Sequence, residues 1–272
     1  MDYVNDLKVC VDTQIKLSNW DPDFTGGILK DYAEDLFDKE LGNQMSALQY
    51  KLFADKSKAL LIILQGMDAS GKDSTIRHVM NRFNPQSCKV FSFRKPNEEE
   101  TSHDYLWRIH KYIPAKGEII IFNRSHYEDV LTARVYELVS EVIWSKRYNQ
   151  INDFEKYLFD NNVKIIKFFL HISKDEQKKK LQRRMNDPTK QWKFSESDLI
   201  GYRLWDQYTQ AYEDMLNKCS TKNTPWYIIP SNNKWFRNLT IAQIIIDTLK
   251  NMKLEFPKVN IDLSKILDDL NK

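Results

Sequence analysis

Five short, nearly continuous apolar runs punctuate the chain. They are "ALLIIL" at 59–64, "KVFSF" at 89–93, "EIIIF" at 118–122, "KIIKFFLHI" at 164–172 and "WYIIP" at 226–230. Runs this short and this rich in Ile, Leu and Phe suit strands buried on both faces, as in a parallel sheet. The stretches between them have helical spacing. Phe37, Leu41, Met45, Leu48 and Leu52 recur every three or four positions and predict a helix over 31–54. Leu199, Tyr202, Trp205, Tyr208, Tyr212 and Met215 predict a second over 195–217, with Ser195 and Asp198 as a capping box. These aromatics read as core rather than as a stacking platform. "SKDE" at 173–176 opens a third helix, acids first and bases last, as the helix dipole favours. Strands alternating with helices predict an α/β fold with helices on both sides of the sheet. The first 25 or so residues and the last 15 or so are expected to be the least ordered.

Composition narrows the class. With 272 residues, 42% hydrophobic and 29% charged, the chain reads as an ordinary globular protein with ample core. Net charge is +3, which gives no sign of a dedicated nucleic-acid binder. Cys10, Cys88 and Cys219 are far apart and suit reduced thiols rather than a disulfide framework or a zinc site. "MDYVNDLK" lacks the basic and apolar pattern of a signal peptide, and no apolar run reaches the ~18 residues that span a bilayer. The expected location is the cytoplasm, with no membrane partner.

Three segments carry chemistry. The first, "GMDASGKDS" at 66–74, follows a predicted strand and opens a predicted helix. In that context Gly66, Gly71 and Lys72 form a phosphate loop. The glycines let Ala69, Ser70, Gly71, Asp73 and Ser74 wrap their N–H groups around an anion at the helix N-terminus, and Lys72 adds a mobile charge. Most such loops continue with Ser or Thr, which helps hold magnesium; here Asp73 follows the lysine. Asp68 lies inside the loop as well, and carboxylates beside a phosphate call for a cation between them. Asp68 is therefore a candidate magnesium ligand. Asp73 is either a weaker one or an acid stabilised by the helix dipole.

The second segment is "FNRSHYED" at 122–129, at a strand end, where α/β sheets bind ligands. Asn123 stands where an Asp is usual, so a metal role passes to Glu128 or Asp129. Arg124 suits a two-pronged phosphate contact. His126 is a candidate contact, although a hydrogen-bonded structural histidine is the commoner arrangement. The third segment is the basic stretch 178–193, dense in Lys and Arg with a single Asp. It reads either as a solvated helix face or as a lid over the site, and the phosphate loop favours the lid.

Taken with "DYLWRIH", "IIKFFLHISKDEQ", "WKFSESDL", "RLWDQYTQAYEDM" and "PWYIIPSNNKWFRN", these segments resemble the family-2 polyphosphate kinases over about residues 59–250. The resemblance implies a thymidylate-kinase-like P-loop kinase: a three-layer α/β/α fold, a parallel five-stranded sheet and a helical lid at about 173–198. It implies one domain over 1–272 with a helical extension over 1–57. It implies magnesium-dependent, reversible phosphoryl transfer between inorganic polyphosphate and nucleotides. Asp73 after the lysine is that family's own form. Asn123 with Glu128 resembles its class III, which accepts both AMP and ADP; guanine nucleotides stay open. By the same resemblance Asp68 and Glu128 place magnesium, and Lys72 and Arg124 contact phosphate. Arg183, Arg184, Lys190 and Lys193 face the polymer. Phe93, Arg94, Asn123, His126 and Asp129 face the nucleotide, Phe93 either stacking on its base or serving as an ordinary strand residue. A homo-oligomer, dimer or tetramer, is also implied. Two rival readings share the loop: an ATP-dependent kinase of a small metabolite, and a non-catalytic nucleotide- or polyphosphate-binding regulator.

Overall fold

A computed structural model describes residues 3–11, 13–258, 260–261, 266–267 and 270–271. All five apolar runs are strands: β1 (Ala59–Gln65), β2 (Cys88–Ser92), β3 (Ile119–Asn123), β4 (Val163–His171) and β5 (Trp226–Pro230). They form one parallel sheet in the order β2-β3-β1-β4-β5. Side chains alternate between its faces, as a period of two requires. Leu61, Ile63, Phe122, Ile165 and Phe169 enter one core with Tyr148, Ile151, Tyr212 and Met215. Leu60, Ile62, Leu64, Ile121, Ile166 and Phe168 enter the other with Met45, Leu52, Leu239 and Ile245. Every residue of β1 is buried. β2 departs from the expectation of two covered faces: Lys89, Val90 and Ser92 are exposed because it is the sheet's edge.

The helix expected over 31–54 is present as Lys30–Leu36, a π turn at Phe37–Leu41, and Gly42–Asp55. Phe37, Leu41 and Met45 are separated by two steps of four. The wider turn keeps them on the core side. The helix expected over 195–217 breaks at Leu204 into Glu196–Arg203 and Trp205–Cys219. Its cap at Ser195 is found, and the helix Lys174–Asn186 is capped by Ser173. Ser195 N–H donates to Asp198 at 3.1 Å, and Ser173 Oγ accepts from Glu176 N–H at 3.1 Å.

Among the described residues near the start of the chain, order replaces the expected disorder. Val4, Leu7, Val9, Ile15 and Leu17 are buried. Val9 N–H donates to Trp226 O, and Ile228 N–H to Leu7 O, both at 2.9 Å, so this segment lies along the free edge of β5. The matching expectation for the last residues falls partly outside the described ones. Among the described residues no helix is long and apolar enough to cross a membrane.

Candidate functional site

Parallel strands bring Gln65 and Asn123, the last residues of β1 and β3, to the same edge of the sheet. The loop leaving β1 turns at Gly66 and Gly71, with φ of 150° and 110°. Neither tolerates a side chain. A Cβ on Gly66 would lie 2.7 Å from Leu170 O, and one on Gly71 2.0 Å from Arg237 Nη1. The helix Lys72–His78 starts directly after. Lys72 is folded into the loop, its Nζ donating to Gly66 O at 2.7 Å and Met67 O at 3.1 Å. Burial, and then the nearby Arg124, lower its pKa to about 8.

β3 delivers Arg124 on the opposite wall, in a left-handed turn at φ 62°. Its Nη2 donates to Asp68 at 2.8 Å. Glu128, and then Asp68, push the guanidinium pKa above its ordinary value, so Arg124 serves as counter-ion to both carboxylates. Glu128 accepts from Thr132 Oγ1 at 2.5 Å, and the Gln65 amide, turned nitrogen toward it, lies at 3.2 Å. A narrow cleft lies between these groups, lined also by Gln177, Gly201, Tyr208 and Tyr212. Asp68 and Glu128 are its acids; among the described residues no cluster of three or more metal-binding side chains occurs. Two carboxylates beside a phosphate loop suit magnesium, which keeps several waters and takes the rest of its shell from phosphate. The donor set therefore fits the metal that the resemblance implies.

Asp73 lies in the first turn of the helix Lys72–His78, where the helix dipole favours an acid. Asp73 Oδ1 accepts from the Asn123 amide at 2.9 Å, which ties the helix to the end of β3. Ser74 is turned away from the loop mouth, its hydroxyl accepting from Arg237 Nη2 at 3.1 Å. The Ser70 hydroxyl is likewise buried, against Gly66.

Several expected contacts are not gathered at the cleft. His126 is fully buried and meets Glu155 at 3.3 Å, in a network where Lys167 and Tyr127 also bond Glu155, at 2.6 and 2.7 Å. Burial lowers the His126 pKa. Burial alone would raise that of Glu155, but Lys167 and His126 hold it at about 2. His126 is therefore a core residue, and the expectation that it meets the nucleotide is corrected. Asp129 is held by Arg147 at 3.2 Å, and burial raises its pKa to about 6. The tight turn His126–Asp129 explains both: residues three apart eclipse, so His126 and Asp129 share one face while Glu128 takes another. Phe93 is 6% exposed, edge-on to Phe122 at 4.8 Å, with the Arg108 guanidinium 5.6 Å over its ring. Its strand-core role is the observed one. Arg94 is exposed, and its carbonyl accepts from Arg108 at 2.9 Å.

The basic segment is not folded onto the loop. Arg183 is exposed, Arg184 faces Asp198 at 3.4 Å, Lys190 pairs with Asp187, and Lys193 lies over the Trp192 ring at 5.1 Å. Its flanking helices do reach the site. Gln177 Nε2 donates to Asp68 O at 2.9 Å, and a Cβ on Gly201 would lie 3.2 Å from Asp68 Oδ2. Sequence reasoning passed over Gln177, Gly201, Thr132 and Arg237. The signal for two of them was present: a glycine inside a helix, and an arginine amid the apolar residues of "KWFRNLTIA".

A parallel five-stranded sheet with a phosphate loop at its carboxyl edge, facing an arginine and two carboxylates, defines a P-loop kinase. The profile of the family described as Polyphosphate kinase 2 (PPK2) matches residues 29–257, and the chain belongs to that family. It is 45% identical to the AMP/ADP-polyphosphate phosphotransferase of Meiothermus ruber over 264 residues, 96% of this chain and 98% of that one. It is 43% identical to the ADP-polyphosphate phosphotransferase of Rhodopseudomonas palustris over 227 residues, 79% of this chain and 78% of that one. The crystal structure of polyphosphate kinase 2 from Arthrobacter aurescens TC1 superposes with a TM-score of 0.92 at 38% identity, covering 97% of this chain and 95% of that one.

Proposed function

We propose that this protein transfers the terminal phosphoryl group of inorganic polyphosphate to AMP and to ADP, reversibly. The observation that carries the reading is the convergence of Arg124, Asp68 and Glu128 on one cleft, with Lys72 bonded to the carbonyls of Gly66 and Met67 in its wall. The likeness to the Meiothermus ruber enzyme, over nearly the whole of both chains, supports the pair of acceptors. So does Asn123, which keeps the end of β3 uncharged while Glu128 supplies the carboxylate.

The polymer end lies over the loop 66–74 and the acceptor opposite it. An acceptor phosphate oxygen, already ionised at neutral pH, attacks the terminal phosphorus. The bond to the bridging oxygen breaks, and that oxygen leaves with the electron pair as the new end of a polymer one unit shorter. No strong base is needed, so catalysis rests on alignment and on neutralising charge. Lys72 leaves the carbonyls of Gly66 and Met67 for phosphate oxygens, and Arg124 exchanges Asp68 for phosphate. Magnesium, held by Asp68 and Glu128, neutralises phosphate charge when bound. The same reading treats the chain as one kinase domain with a lid at about 173–198. On closure that lid brings Arg183, Arg184, Lys190 and Lys193 to the polymer. Cytoplasmic location and a homo-oligomeric assembly belong to this reading as well.

A time course from AMP, polyphosphate and magnesium tests the proposal. ADP is expected first and ATP after it. Turnover that begins only when ADP is supplied would remove AMP from the acceptors.

A further inference from the structure

Arg237 stands behind the phosphate loop rather than in the cleft. It lies on the first turn of the helix Lys234–Asn251 and is fully buried. Its guanidinium packs against Gly71, so closely that a Cβ there would lie 2.0 Å from Nη1. Nη1 donates to Ser70 O at 3.5 Å and Nη2 to Ser74 Oγ at 3.1 Å; Nε and Nη2 also donate to Asn238 Oδ1, at 3.3 and 3.1 Å. All these acceptors are uncharged. Among the described residues no carboxylate forms an ion pair with Arg237. Burial lowers its pKa to about 10, which leaves it charged at neutral pH.

A buried charge without a counter-ion is costly unless something else compensates it. Its neighbours add to the imbalance. Lys180 and Lys234 lie close enough to act on the same field. Lys180 is ion-paired with Glu176 at 3.7 Å, whereas among the described residues Lys234, like Arg237, forms no ion pair. The back wall of the loop thus carries an excess of positive charge that a bound anion would balance.

The bond to Ser70 O has a directional consequence. A trans peptide is planar, with its C=O and N–H pointing to opposite sides. Holding the Ser70 carbonyl toward Arg237 turns the Gly71 N–H the other way, toward the loop mouth. The bond to Ser74 fixes the first turn of the helix that follows.

We infer that Arg237 is a positioning residue of the donor site, which aims the Ser70–Gly71 peptide at the donor phosphate and lends the loop an uncompensated charge. This rests on the reading above that the loop takes the donor. The test is calorimetric binding of inorganic tripolyphosphate, which needs no turnover, beside the KM values for polyphosphate and AMP. Arg237→Met is expected to weaken tripolyphosphate binding and raise the polyphosphate KM by about tenfold or more. The AMP KM stays within about twofold. Arg237→Lys, which keeps the charge and loses the fork, recovers part of the loss. A folded Arg237→Met with unchanged tripolyphosphate binding would overturn the inference. So would an equal loss of affinity for both substrates, which marks a merely structural role. If Arg237→Met does not fold, Arg237→Lys and Ser74→Ala decide, with the same direction and a smaller shift expected. A wild-type protein that binds tripolyphosphate but transfers nothing from the polymer would count against the proposed function and not against Arg237.

Discussion

Lys72→Ala is expected to lower phosphoryl transfer from polyphosphate by about a hundredfold to a thousandfold, the loss seen when one charge-stabilising donor leaves a transition state. Among the described residues the side chain's hydrogen bonds go to two carbonyls of its own loop, Gly66 O and Met67 O. Substitution should therefore leave the melting temperature within a few degrees while turnover collapses. The pH dependence follows from the lowered pKa of about 8. In the free protein the ammonium form, which binds phosphate, prevails below that value and is lost above it. The wild-type kcat/KM for polyphosphate should fall as pH rises through about 8. A Lys72→Ala variant with near wild-type turnover would remove the loop from the chemistry.

Glu128→Gln should act through the metal. The amide keeps the size of the side chain and can still bond Thr132, but loses the charge. Even residues that only orient a metal ligand cost about tenfold to a hundredfold in metal affinity when removed. The magnesium concentration for half-maximal rate should rise by at least that factor. Raising magnesium should restore part of the rate. The loss should be larger in Asp68→Asn with Glu128→Gln than in either alone, because the two acids face one arginine. A rate that falls with no change in magnesium requirement would move the metal elsewhere.

The strands were legible because both faces of β1, β3 and β4 are covered, which writes continuous apolar runs. The phosphate loop was legible because its glycines and lysine are neighbours in sequence. The helix break at Leu204 was hidden: the apolar spacing continues from Leu199 through Tyr202 to Tyr208 across it. Tyr208 and Tyr212, read as core, also line the cleft, because the second of those helices runs past its mouth. His126 misled because it lies two residues from Arg124 in sequence, whereas the turn at β3's end aims it into the core. Arg237 escaped notice because its loop partners, Ser70 and Ser74, are more than 160 residues away. An arginine amid the apolar residues of "KWFRNLTIA" is visible in the sequence, but which distant loop it serves is not. The basic segment 178–193 shows the opposite case. Its charges were plain, but Asp187 and Asp198 hold two of them away from the loop.

The rival readings differ from the proposal in the donor. An ATP-dependent kinase of a small metabolite would leave polyphosphate untouched. A regulator would bind without turnover. The measurement that separates all three is nucleotide formation by the purified protein, with magnesium and AMP or ADP present and polyphosphate as the sole phosphoryl donor. The account predicts ATP formed at the expense of the polymer, at a rate lower by about a hundredfold or more in Lys72→Ala. Failure of the wild-type protein to phosphorylate either nucleotide from polyphosphate would contradict it.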